Sequence, residues 1–460
     1  MRVKVENLGY IHSGNVEIAP LTIIVGKNNT GKTYLSYAIS YFLSTFSANM
    51  HIETSEVGAQ NRLVINSEFL DKKLKEVSRA CSRSLYKAFA CDSDMFKKTK
   101  MEFGLDVNDV FQFLRNKVKN TYHDTPIKDL AEIQVIGYEQ ENNIILEVSA
   151  QESAKDVIPF FAQPEFKVML LSNSLGNLLK EYIRVFAVSS ERTGISLFYK
   201  ELDYTKSMIL DLLKEKNLNK TKYLDVVRET TARYAFPIRE NINTVRATDI
   251  VKKKSIFSKE KNKFKHLFEL WEKLLNGKFV VEDETLMYIN KESEQKIPMH
   301  IASSASKSLF LLDIFIKNIA QKEQMLIIDE PEMNLHPEAQ RFMARFLVQL
   351  VNCGVKVILT THSDYIIREI NNLIMLFNLK VANKEKFLRA LGYFDSEMLN
   401  SEDVRAYMCE NHEVILASQN EYGVNLESFD GFISQSNNIA DRIIDQVNMC
   451  ENYEKSSSVY

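Results

Sequence analysis

Residues 26–33 read Gly-Lys-Asn-Asn-Thr-Gly-Lys-Thr and follow the apolar run 21–25; no other stretch of the chain restricts its fold so tightly. The GxxxxGK[ST] spacing requires a buried strand before it and a helix after it. Its glycines permit backbone angles that turn successive N–H groups inward, and the positive end of the following helix adds to them. A phosphate group is therefore the expected occupant. Gly26, Asn28, Asn29, Thr30 and Gly31 are expected to form the cradle, and Lys32 to reach the outer phosphates of a nucleotide. Thr33 offers a hydroxyl to Mg²⁺, a cation that prefers hard oxygen donors.

A second apolar run, 325–328, ends in Asp329 and Glu330. An apolar run of this length reads as a strand buried on both faces. Asp329 is expected to hold the Mg²⁺ shell, and Glu330 to orient and deprotonate the attacking water. After a further strand at 356–359 comes Thr360-Thr361-His362-Ser363. A histidine at that strand end can reach an outer phosphate or the attacking water, so the expected catalytic set is Lys32, Glu330 and His362.

Around these motifs the chain reads as alternating α and β structure. Strands are expected at 3–8, 15–18 and 21–25, and a helix from 32 to about 47. Residues 51–130 read as helical and polar, with a hairpin at 132–148 and a strand near 185–189. A second helical block runs from about 196 to 275, a hairpin occupies 277–289, and the last 85 or so residues read as helices with one short strand at 414–417. Hydrophobic residues at 45% and charged residues at 26% suit a globular chain. The longest apolar runs fall far short of the roughly 20 residues that cross a bilayer. The first residues lack the apolar core of a secretion signal, so a cytoplasmic protein without membrane contact is expected.

A net charge of −3 gives no global attraction to nucleic acid, which leaves only local contacts. One such place is the cluster from Lys252 to Lys265, readable as a solvated helix face or as a contact to a DNA backbone. Cys81, Cys91, Cys353, Cys409 and Cys450 show neither a metal-site nor a disulfide spacing and are expected to be free, buried thiols.

Immediately after Glu330, Pro331-Glu332-Met333-Asn334-Leu335-His336-Pro337 resembles the DEPExxLHP continuation of OLD, RecF and SMC-like ATPases of the ABC type. That resemblance implies an α/β head, a mixed sheet flanked by helices, with a large helical insertion between the phosphate loop and a signature motif. It also implies Mg-ATP bound between two copies of the chain, hence a homo-oligomer. The corresponding segments are 1–50 and 277–375 for the head, 51–276 for the insertion, 376–450 for a helical extension and 451–460 for a disordered tail. The signature falls at 302–308, where Ser303 and Ser304 are placed to meet a partner's outer phosphate or to cap a helix. Ala305 stands where the family has glycine, a departure that restricts close backbone approach. His336 is open between local packing and contact across the dimer. Arg192, in Ser189-Ser190-Glu191-Arg192, reads as a surface ion pair or as a phosphate or interface contact.

OLD relatives carry a fused Toprim nuclease, whose glutamate and DxD residues are missing here. The resemblance to the ATPase subunits of the anti-phage systems Septu and PARIS therefore implies a separate effector, a nuclease or toxin. Two other outputs stay open: a RecF-like repair ATPase acting on DNA, and a nucleotide-gated scaffold with little hydrolysis.

Overall fold

The computed structural model describes residues 1–119, 122–124, 133–150, 163–198, 233–247, 253–282, 285–426, 438–439 and 441–443. Strands β1 (Arg2–Leu8), β2 (Ile11–Glu17) and β3 (Leu21–Gly26) open the chain. Then come β4 (Val57–Gly58), β5 (Arg62–Ile65), β6 (Lys100–Gly104), β7 (Tyr122–Asp124), β8 (Ile133–Gln140), β9 (Asn143–Ala150) and β10 (Val185–Val188). A three-stranded unit, β11 (Gly277–Glu282), β12 (Thr285–Asn290) and β13 (Lys296–Pro298), precedes β14 (Met325–Asp329), β15 (Lys356–Thr361), β16 (Val404–Glu410) and β17 (Glu413–Leu416).

Nine of these strands build one mixed sheet in the order β10-β14-β15-β3-β16-β17-β2-β1-β6. The five from β10 to β16 are parallel, and both of their faces are covered. In β3, Leu21, Ile23 and Val25 pack into one core with Trp271, Phe346 and Leu373, while Ile24 packs into the other with Leu35, Phe42 and Leu175. This two-sided burial is why β3, β14 and β15 read as unbroken apolar runs and not as alternating ones. Helices Lys265–Leu275, Ser304–Ile314, Pro337–Asn352 and Asp364–Asn378 cover the first face; Lys32–Thr45, Ser67–Arg83, Val107–Val118 and Pro164–Tyr182 cover the second.

The expected α/β head with a mixed sheet is present, and the helix at Pro337–Asn352 begins at the proline that fixes its first turn. Two expectations are corrected. The region 51–276 carries more β structure than the expected hairpin and strand: β4, β5 and β7 join that hairpin, β8–β9, in a second, five-stranded sheet, and β6 joins the main sheet beside β1. Strands of four or five residues such as β5 and β6 are too short to show a period against helical neighbours. The extension after 376 is likewise not simply helical: β16 lies beside β3, paired from Val404↔Leu21 to Cys409↔Gly26. Its Arg405 and Met408 interrupt the apolar pattern, which hid a central strand. The expected tail at 451–460, most of the expected closing helix and Cys450 lie outside the described residues.

No described helix is long and apolar enough to cross a membrane. Cys81, Cys91, Cys353 and Cys409 are free thiols, the first and last buried and the other two half-buried. Burial pushes the thiols of Cys81 and Cys409 up to about 11, which makes them poor nucleophiles.

Candidate functional site

The site is assembled at the C-terminal ends of β3, β14 and β15. Gly26 ends β3 at φ 155°, where a Cβ would stand 2.7 Å from both the Cys409 carbonyl oxygen and Thr30 Oγ1. Gly31 has φ 100°, and a Cβ there would come 2.7 Å from Ile11 Cγ1. Both positions therefore exclude side chains by space as well as by backbone angle. Lys27, Asn28 and Asn29 form the exposed crown of the loop, and Asn29 adopts φ 63°. Thr30 Oγ1 donates to the Lys27 carbonyl at 2.9 Å. Lys32 is buried, its ammonium donating to the carbonyls of Gly26 at 2.9 Å and Lys27 at 2.8 Å. The loop thus closes around a cation.

The parallel register sets Asp329 opposite Thr360. Thr33 Oγ1 donates to Asp329 Oδ2 at 3.1 Å, and Thr360 Oγ1 donates to Asp329 Oδ1. Burial pushes the Asp329 carboxyl above its ordinary range. A carboxylate and a hydroxyl held together beside the cradle form an all-oxygen donor set that fits a hard divalent cation.

Glu330 has φ 50°, an uncommon angle for a residue with a side chain. Its N–H donates to both the carbonyl and Oγ1 of Thr360, each at 3.1 Å. His362 Nδ1 lies 3.6 Å from Glu330 Oε1 and 3.3 Å from Glu332 Oε1. The imidazole lowers the Glu330 carboxyl below its usual value, and Glu330 in turn raises His362 above 6.5. Glu332 is buried and accepts from Thr361 Oγ1 and the His362 N–H, both at 2.8 Å, which fixes the turn that carries the histidine.

Arg192 is not the surface ion pair its sequence setting suggests. Its side chain is among the largest fully buried ones, and its guanidinium donates only to backbone carbonyls. The partners are Ser189 (3.2 Å), Asp329 (2.8 Å), Glu330 (2.6 Å) and Ser308 (3.1 Å). The planar five-donor fork of arginine suits this task. One side chain thereby ties the end of β10 to that of β14 and to the helix Ser304–Ile314.

The signature segment stands apart from the loop of its own chain. Ser303 is the N-cap, its Oγ accepting from the Ser306 N–H at 3.1 Å. Ser304 is exposed at the first helical position and Ala305 is half-buried. Among the described residues neither serine hydrogen-bonds to residues 26–33. His336 caps the helix Pro337–Asn352, its Nδ1 accepting from the Glu338 N–H at 3.4 Å.

Three groups at the site were given no role by sequence: Thr360 as a partner of Asp329, Glu332, and the bond from Tyr37 to Glu191 at 2.9 Å. The acid two residues after Glu330 was the one available signal for Glu332. Of the lysine cluster, Lys252 lies outside the described residues. Lys261, Lys263 and Lys265 lie 3.5, 3.6 and 3.5 Å from Glu272, Glu260 and Glu269, as on a solvated face.

Residues 1–367 match the family described as AAA ATPase domain. Among solved structures, the chain is similar to an SMC head domain with an extended coiled coil, bound to the C-terminal domain of ScpA, from Pyrococcus furiosus. The identity is 12%, over 96% of this chain and 98% of that one, with a TM-score of 0.30. It is also similar to the SMC head domain from Thermotoga maritima, with 9% identity over 91% and 98% and a TM-score of 0.30.

Two measurements check this geometry. The His362 ring is expected to titrate above 6.5 by NMR and to fall back towards that value in Glu330→Gln. A folded value above the unfolded one contributes stability that is fully present below 6.5 and is lost as pH rises through the raised value. Arg192→Met leaves four carbonyls without their donor, so urea unfolding should show a loss of about 3 kcal/mol or more; an unchanged midpoint would contradict the bridging role.

Proposed function

The chain belongs to the AAA ATPase domain family, and from that premise we propose that it binds and hydrolyses Mg-ATP between two copies of itself and uses the cycle to control a separate effector. The observation that carries this reading is the gathering of Lys32, Thr33, Asp329, Glu330 and His362 at the ends of three adjacent parallel strands.

The backbone N–H groups of 26–33 and the start of helix Lys32–Thr45 receive the phosphates. Lys32 exchanges its two carbonyl partners for phosphate oxygens at little cost, since it is already desolvated and hydrogen-bonded. Thr33 and Asp329 are the residues that would hold Mg²⁺, which when bound neutralises phosphate charge. Glu330 stays ionised because His362 lowers its carboxyl, so it can accept a proton from the attacking water. His362, half-exposed and tethered through Glu332, orients that glutamate.

Ser303 and Ser304 open a helix whose first turn makes no bond to its own loop, so a second copy of the chain would supply this end to the phosphates. ATP binding and dimerisation are then linked equilibria. Arg192 connects the two halves of this arrangement within one chain, because it holds Glu330 and the signature helix through the same guanidinium. A nuclease or toxin in anti-phage defence is the effector class that the resemblance to Septu and PARIS ATPase subunits supports.

Glu330→Gln removes the base and keeps the phosphate contacts. It is expected to retain ATP, to lower phosphate release by about 10²- to 10⁴-fold, and to accumulate at twice the monomer mass in light scattering with ATP. Lys32→Ala is expected to lose nucleotide binding instead. Phosphate release by Glu330→Gln at the rate of the unaltered chain would sink the assignment.

A further inference from the structure

A cavity of about 860 Å³ opens beside helix Lys265–Leu275, bordered by the β11–β12 hairpin and by the π-helical turn Phe315–Ile319. None of the residues gathered around Lys32 lines it. Five lysines do: Lys254, Lys261, Lys278, Lys291 and Lys317. Only two lining carboxylates oppose them, Glu272 and Glu294.

The charges are not self-satisfied. Lys261 is 3.5 Å from Glu272, and Lys317 is 2.6 Å from the buried Asp313. Lys254, Lys278 and Lys291 have no ion-pair partner among the described residues. Like charges held around one concavity raise its potential and draw in anions. The wall behind them is apolar. Trp271 and Phe268 form part of it, and the Trp271 indole N–H donates to Asp313 Oδ1 at 2.8 Å. Asp313 therefore fixes an aromatic ring and an ammonium of the same cavity at once. The turn that carries Lys317 prolongs the helix opened by Ser303 and Ser304, and π-helical turns concentrate at functional positions.

From this geometry we propose that the cavity binds a phosphate-rich ligand, with its phosphates held by Lys254, Lys278 and Lys291 against the wall of Trp271 and Phe268. The volume is that of a nucleotide-sized site. Two sources share this chemistry, a free nucleotide and the backbone of single-stranded nucleic acid. The site is separate from the ATP site and stands or falls independently of it.

Trp271 is the sole tryptophan of the chain, so its emission reports directly on the cavity. The full chain carrying Lys32→Ala, which silences the phosphate loop, is titrated with sodium tripolyphosphate at constant ionic strength and without Mg²⁺. A saturable change in emission is expected, with affinity lowered at least tenfold by Lys278→Glu with Lys291→Glu. Both lysines are exposed, and a Lys254→Ala variant gives a second reading should the double variant fold poorly. Displacement of tripolyphosphate by oligothymidylate would assign the site to nucleic acid, and displacement by ATP alone to a free nucleotide. Absence of a saturable change, or an affinity unaltered by the lysine variants, overturns the proposal and leaves the ATPase reading untouched.

Discussion

The parallel register of β14, β15 and β3 decides where every group of the site stands. Asp329 is paired with Thr360, and Thr361 with Val25, one residue before the loop begins. Because side chains alternate along a strand, a one-residue slip would turn Asp329 to the opposite face and away from Thr33. The register is held by the two cores, which take Leu326 and Ile328 on one face and Ile327 on the other. The site is therefore a consequence of apolar packing that contains none of its chemistry.

On this frame two buried groups carry the polar load. Arg192 gathers four carbonyls from three elements, and Asp329 accepts from two threonines. Buried polar groups persist only when hydrogen-bonded, and both are. The left-handed backbone at Glu330 is held by the same bonds, with its N–H on Thr360 and its carbonyl on Arg192. The uncommon backbone angle at Glu330, pinned from both sides, aims its carboxylate at His362.

The same helix relates this site to the lysine-lined cavity. Its N-terminal end offers Ser303 and Ser304, its middle gives the Ser308 carbonyl to Arg192, and its continuation sets Lys317 on Asp313.

The GxxxxGK[ST] spacing, the Asp329–Glu330 pair and His362 were legible in the sequence by itself, because each is a residue type at a fixed local spacing. The buried strands β3, β14 and β15 were legible too, since their apolar runs record burial on both faces. Tertiary structure alone decided the rest. Arg192 looked like any charged residue after a strand, since its partners are carbonyls that leave no trace in side-chain identity. β16 became central only by pairing with a strand nearly 400 residues earlier. The lysines of the cavity come from the approach to one helix, a hairpin and a π-helical turn, and only packing brings those segments around one space.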